Sequence, residues 1–187
     1  SLIKLIESDT LLILPSSRKN EVLSFLSAPL QDISISRSNW RARNWGVPVP
    51  GDDLQRIYVW FDALNIYQSG IGFGWDEGTY QKWWPADVHL IGKGIIRFHA
   101  VYWPAFLLSA GLPLPKSILV HGYITVDGQK MSKTIGNVLD PFKIVAKYGV
   151  DPVRYYLLRE VPSTEDGDFS YKKLEDRYNG DLANGLG

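Results

Sequence analysis

Val88-His89-Leu90-Ile91-Gly92-Lys93-Gly94 is the stretch that decides the fold. Val88 to Ile91 is a short β-type run, and from Ile95 to about Ala110 apolar residues recur at helical spacing. A glycine-flanked turn therefore carries a strand into a helix. Glycines at such a junction let a ligand approach the backbone, and a helix N-terminus favours anions or hydroxyl-rich groups. The Gly-x-x-x-x-Gly-Lys-Ser/Thr pattern of a P-loop is absent, so the turn is not a loop of that kind.

Outward from this junction the alternation repeats. Ile57 to Trp60 reads as a short buried strand running into a helix from Phe61 to about Ser69. On the other side Ile118 to Val120 is a third strand, and Tyr123 to Val126 opens a hairpin closed by Asp127-Gly128. Strand–helix–strand–helix–strand predicts an α/β fold with a parallel sheet. Pro104 falls inside the second helical run and bends it or marks a junction.

Farther upstream, Asn20 to Leu26 predicts a helix capped by Ser16 or Ser17, and Ile33 to Ser36 alternates like a strand. Residues 37–53, with Pro48, Pro50, Gly46 and Gly51, predict a loop. Its Arg37, Arg41 and Arg43 beside Trp40 and Trp45 suit either a solvated loop pinned by tryptophans or one that faces RNA or phosphate. The last third is helical. Asp140-Pro141 and Asp151-Pro152 each place an N-cap acceptor before a proline, Gly149 closes the first helix, and another starts near Ser170 and runs on past Gly187.

The 187 residues suffice for one sizeable core or for one domain and part of another. Twenty Lys and Arg balance twenty Asp and Glu, so charge alone draws the chain to no nucleic acid, and no DNA partner is expected. The absence of cysteine excludes disulfides and thiolate metal sites within the sequence. The longest apolar stretch, Phe98 to Leu114, holds His99, two prolines and Gly111, which does not suit a membrane span. Ser1-Leu2-Ile3-Lys4 shows no initiator Met and no signal-peptide layout, and both ends suggest a fragment.

Trp60, Ala63, Leu64 and Tyr67 share one helical face; Ile95, His99, Tyr102 and Trp103 make a second stripe. Such stripes are commonly core. His99 is the unusual member, either a satisfied core histidine or one at the end of an aromatic pocket. Placement of both stripes after strands of a parallel sheet favours the pocket. Lys130-Met131-Ser132-Lys133-Thr134 follows the third strand: two ammonium groups on long stems, separated by a small hydroxyl residue, suit a loop that grips polyphosphate, although a solvated surface offers such pairs too. His121-Gly122 suits a contact to phosphate or ribose, or a plain turn. No Ser–His–acid set or metal-ligand spacing emerges, so neither covalent catalysis nor a protein-bound metal is expected.

Trp45 to Asp52, Tyr58 to Leu64, Ile91-Gly92-Lys93, Phe98 to Ala105 and Lys130 to Asn137 occur in the order found in one family. Over nearly its whole length the chain resembles methionyl-tRNA synthetases of the bacterial and mitochondrial-like type. The resemblance implies the second half of a class I Rossmann-like catalytic domain over 1–127. It implies the phosphate-loop and stem-contact region, with the start of a helical anticodon-binding bundle, over 128–187. It implies activation of methionine by ATP with Mg2+, then transfer to tRNA(Met), without a membrane partner. Trp60, Ala63, Leu64, Tyr67, Ile95 and His99 would form the methionine pocket, its aromatic cage suiting a polarizable thioether. Gly92, Gly94, His121, Ile124, Lys130, Ser132 and Lys133 would bind ATP, with Lys130 and Lys133 catalytic.

Three departures accompany the resemblance. The His-x-Gly-His signature of the family is matched by none of His89, His99 and His121, so the missing N-terminal half is an expected partner and the chain alone is expected to be inactive. Gly94 stands where the family has an aspartate for the ribose, which leaves a catalytically dead binding module as the alternative. Thr134 replaces a serine and keeps the hydroxyl. By the same resemblance the compartment leans mitochondrial, with the cytoplasm as the alternative.

Overall fold

The apolar run that follows the first helix, α1 (Leu2–Glu7), forms strand β1 (Leu12–Leu14). The computed structural model describes residues 1–186 and divides into two compact units, residues 1–119 and the chain from Val120 onward. Helix α2 (Ser16–Ser27) starts a turn earlier than its apolar pattern predicts. The Pro15 carbonyl accepts from the amides of Arg18 and Lys19, which places Ser16 and Ser17 inside the first turn and not at a cap.

Residues 37–53 are structured, contrary to the loop prediction. Strand β2 (Ser36–Ser38), the short helix α3 (Asn39–Ala42), strand β3 (Pro48–Val49) and strand β4 (Asp52–Ile57) build a small antiparallel sheet with β4 in the centre. Gly51, at φ +79°, makes the sharp turn that folds β3 onto β4. The predicted strand at Ile57–Trp60 is thereby corrected. The strand ends at Ile57, and Trp60 already lies in α4 (Val59–Ser69). Of the predicted Ile33–Ser36 strand only Ser36 pairs.

Helix α5 (Glu77–Trp83), capped by Asp76, leads to strand β5 (Val88–Gly92). A tight turn over Lys93–Ile95 starts the next helical stretch, which widens into π-type turns at Phe98–Tyr102 before α6 (Trp103–Ser109). Pro104 has no N–H for a regular helical bond, and the helix widens immediately before it. Strand β6 (Ser117–His121) then enters the sheet between β1 and β5 and runs parallel to β1, with Ile13 opposite Ile118. The three strands of this sheet are thus β1, β6 and β5, and Ile57–Trp60 is not among them. The sheet buries Ile13, Ile91 and Ile118, and Leu64, Tyr80, Trp84, Trp103 and Leu107 form a core cluster of the same unit.

In the second unit, β7 (Ile124–Val126) and β8 (Gln129–Lys130) form the predicted hairpin. Asp127 and Gly128 both have positive φ, 50° and 73°, as a two-residue primed turn requires. Asp140 caps α7 (Pro141–Tyr148) by accepting from the Phe142 amide, and Gly149 ends it. Helix α8 (Val150–Glu160) begins one residue before Asp151, so Asp151-Pro152 lies in its first turn and is not its cap. Strand β9 (Gly167–Phe169), which carries no strand pattern, pairs parallel to β7. Helix α9 (Tyr171–Arg177), capped by Ser170, continues as wider turns to Leu186. Because β7 pairs with β9, the hairpin belongs to the helical unit, and the divide precedes residue 127. Ile144, Val153, Tyr156, Phe169 and Leu174 form its core.

Candidate methionine pocket and phosphate loop

In the first unit, α4 and the π-type turns bring Trp60, Tyr67 and His99 together. Trp60 stacks on Phe98 with ring centroids 4.1 Å apart and meets His99 edge-on at 6.2 Å. The Tyr67 hydroxyl lies 2.9 Å from His99 Nε2. On the other side of the ring, His99 Nδ1 lies 3.0 Å from the Ile95 carbonyl. A carbonyl can only accept, so Nδ1 carries the proton. Burial holds the His99 pKa below its ordinary value, with the Ile95 carbonyl opposing in part, and the ring is neutral near pH 7. Nε2 is then an acceptor, and Tyr67 donates to it. Burial also raises the Tyr67 pKa, which keeps the phenol protonated. The tautomer of one histidine therefore fixes the polarity of the tyrosine beside it.

The remaining members of the two stripes divide by burial. Leu64 is 1% exposed and belongs to the core, where it backs the aromatic group. Ala63 is exposed on α4, and Ile95 is half-buried one turn before His99. Trp103, 1% exposed, also belongs to the core. Only the second stripe follows a strand of the three-stranded sheet that contains β1 and β6; the first follows β4 of the antiparallel sheet. Gly92 ends β5 in ordinary extended backbone, φ −76°, so what matters there is its missing side chain and not a special conformation. Gly94 is exposed in the tight turn that follows.

His89 has no role in the sequence reading, yet it lies against this group. Its ring is 4.4 Å from Tyr67 and 6.3 Å from His99. Burial, with a smaller contribution from His99, lowers its pKa to about 4. The signal was present: alternation along β5 puts His89 on the buried face with Ile91.

In the second unit, Lys130 ends the hairpin and Lys133 lies in the loop beyond it, both exposed. Lys130 Nζ sits 4.9 Å above the Tyr123 ring. Met131, between the lysines, lines an apolar cavity of about 210 Å³ with Ile124, Leu139 and Phe169. The loop is thus anchored by Met131 while both ammonium groups stay exposed. Ser132 Oγ accepts from the Thr134 amide at 3.2 Å, which leaves the hydroxyl proton available to a ligand oxygen. Ile124 turns its side chain to the core. His121 Nδ1 donates to the Gly122 carbonyl at 2.7 Å, which fixes the orientation of the ring.

The sequence profile of the family described as tRNA synthetases class I (M) matches residues 2–187. Methionine–tRNA ligase of Brucella suis biovar 1 (strain 1330) is 50% identical over 188 residues, which cover 100% of this chain and 36% of that protein. Methionine–tRNA ligase of Thermotoga maritima is 51% identical over 187 residues, 29% of its length. The structure of Mycobacterium tuberculosis methionyl-tRNA synthetase in complex with methionyl-adenylate superposes with a TM-score of 0.93 at 50% identity, covering 100% of this chain and 36% of that one. The chain spans about a third of the length of these relatives. It belongs to the class I (M) family of tRNA synthetases.

Proposed function

We propose that this chain is part of a methionine–tRNA ligase that forms methionyl-adenylate from methionine and ATP and transfers the amino acid to tRNA(Met). The observation that carries the reading is the Tyr67–His99 pair inside an aromatic group, in a chain half identical to proteins named for that reaction. Trp60, Tyr67 and His99 would receive the thioether side chain, with Ile95 and Ala63 at its margin and Leu64 behind. Aromatic faces suit a polarizable sulfur, at about 0.3–1.5 kcal/mol per contact.

In the second unit Lys130 and Lys133 would hold the ATP phosphates and stabilise charge on departing pyrophosphate, and the Ser132 hydroxyl would donate to a phosphate oxygen. The His121 ring would approach the nucleotide, and Ile124 can serve it only through its backbone. Gly92 and Gly94 would leave room for the nucleotide, and Mg2+ would accompany its phosphates. The 1–119 unit would be catalytic-domain structure and the second unit the phosphate-loop and stem-contact region.

A second reading, a binding module without catalysis, is favoured by Gly94, which offers no carboxylate to a ribose. Methionine-dependent pyrophosphate exchange by the complete product of the gene carrying this sequence separates the two. Exchange is expected; tRNA binding without exchange would favour the module. Gly94→Asp adds one charged hydrogen bond, about 1.5–3 kcal/mol, and is expected to lower KM for ATP about 10–100-fold.

A further inference from the structure

The lysine loop is held by a residue that carries no charge. Asn137 reaches back across the loop with both ends of its amide. Its Oδ1 accepts from the Ser132 amide at 2.8 Å, and its Nδ2 donates to the Lys130 carbonyl at 3.3 Å. Gly136, at φ +76°, makes the reversal that brings Asn137 there, and its amide donates to the Ser132 carbonyl at 3.0 Å. The backbone on both sides of Met131 is thereby tied to one side chain. Before the loop, the hairpin is braced in a comparable way. Asp168 accepts from Thr125 Oγ1 and from the Gly128 amide, each at 2.7 Å.

We propose that Asn137 is a positioning residue for phosphate binding by this loop: it fixes the backbone at Lys130 and Ser132 so that their side chains start from one geometry. The role of the loop rests on the function proposed above; the clasp itself does not. The physical ground is preorganisation. Charged groups stabilise developing charge best when they need no rearrangement at the moment of reaction, and a misplacement of about 1 Å can cost about 100-fold. An amide is suited to the task because it supplies an acceptor and a donor together. Aspartate at this position keeps the acceptor for the Ser132 amide and loses the donor.

The test uses the complete gene product with Asn137→Ala and Asn137→Asp. Two quantities are read: hydrogen–deuterium exchange of the Ser132 amide without substrates, and the kinetics of methionine-dependent pyrophosphate exchange. Asn137→Ala is expected to speed Ser132 amide exchange about tenfold or more. It is expected to lower kcat about 10–100-fold, with KM for methionine and melting temperature nearly unchanged. Asn137→Asp is expected to keep the amide protected and to lose less kcat. An unchanged kcat in Asn137→Ala overturns the proposal. So does a loss matched by equal changes in methionine KM and melting temperature, which would mean a general folding role. Should the parent protein show no pyrophosphate exchange, the proposed function fails; a Ser132 amide protected in the parent and released in Asn137→Ala still supports the clasp, and an unprotected one overturns it.

Discussion

Tyr67 and His99 work as one unit, because each decides what the other can do. With Nδ1–H given to the Ile95 carbonyl, Nε2 is the acceptor that holds the Tyr67 proton. Protonating His99 would turn Nε2 into a donor and reverse the bond. Since burial lowers the His99 pKa, that reversal lies on the acid side of 6.5. Methionine KM is therefore expected to be flat above pH 6.5 and to rise in acid, and a pH series of KM at saturating ATP checks this. His89 bears on stability. Its pKa is about 4 in the fold and 6.5 when unfolded, so the unfolded state takes up the proton first as pH falls. Its contribution is fully present above pH 6.5 and declines toward pH 4, by up to about 1.4 kcal/mol per pH unit. Thermal melts of the chain across that range should show the decline, and His89→Phe should flatten it; equal slopes would contradict the assignment.

At the scale of elements, the second unit depends on a close approach of two backbones. Gly122 lies against the Glu165 carbonyl, and a Cβ there would run into it. Gly122→Ala is expected to destabilise this unit by about 1–3 kcal/mol, as overpacking commonly does. Denaturant unfolding of the variant measures it; an unchanged midpoint would mean that the segment shifts freely. This scale also shows what the sequence could tell. The hairpin was legible because Asp127-Gly128 is a local signal, and so were the cap Asp140 and the helix start near Ser170. Strand β1 was missed because three residues carry no period, and β9 because Gly167-Asp168-Phe169 becomes a strand only by pairing with β7. The Ile57–Trp60 error has the same root. An apolar run says that residues are buried, and only the turn at Gly51 decides that β4 folds back on β3 instead of joining the parallel sheet. In the candidate site, residue type and spacing single out Trp60, Tyr67, His99 and the lysines, while the roles proposed for them come from the resemblance. His89, Asn137 and Asp168 act through contacts between distant or turn-related positions, which a linear pattern does not display.

For the whole molecule, two units carry two kinds of chemistry. The first is rich in stacked aromatic rings and buried neutral imidazoles, suited to an apolar side chain with a weakly polar tip. The second presents exposed ammonium groups on a loop anchored by Met131, suited to phosphate. The chain matches about a third of the length of its relatives, so activity is to be sought in the complete gene product. The most direct measurement is methionine-dependent pyrophosphate exchange by that product and by its Lys133→Ala variant. The expected result is exchange that requires methionine and that falls about 100–1000-fold when Lys133 loses its ammonium group. Exchange at an undiminished rate in the variant, or none in the parent, would contradict the account.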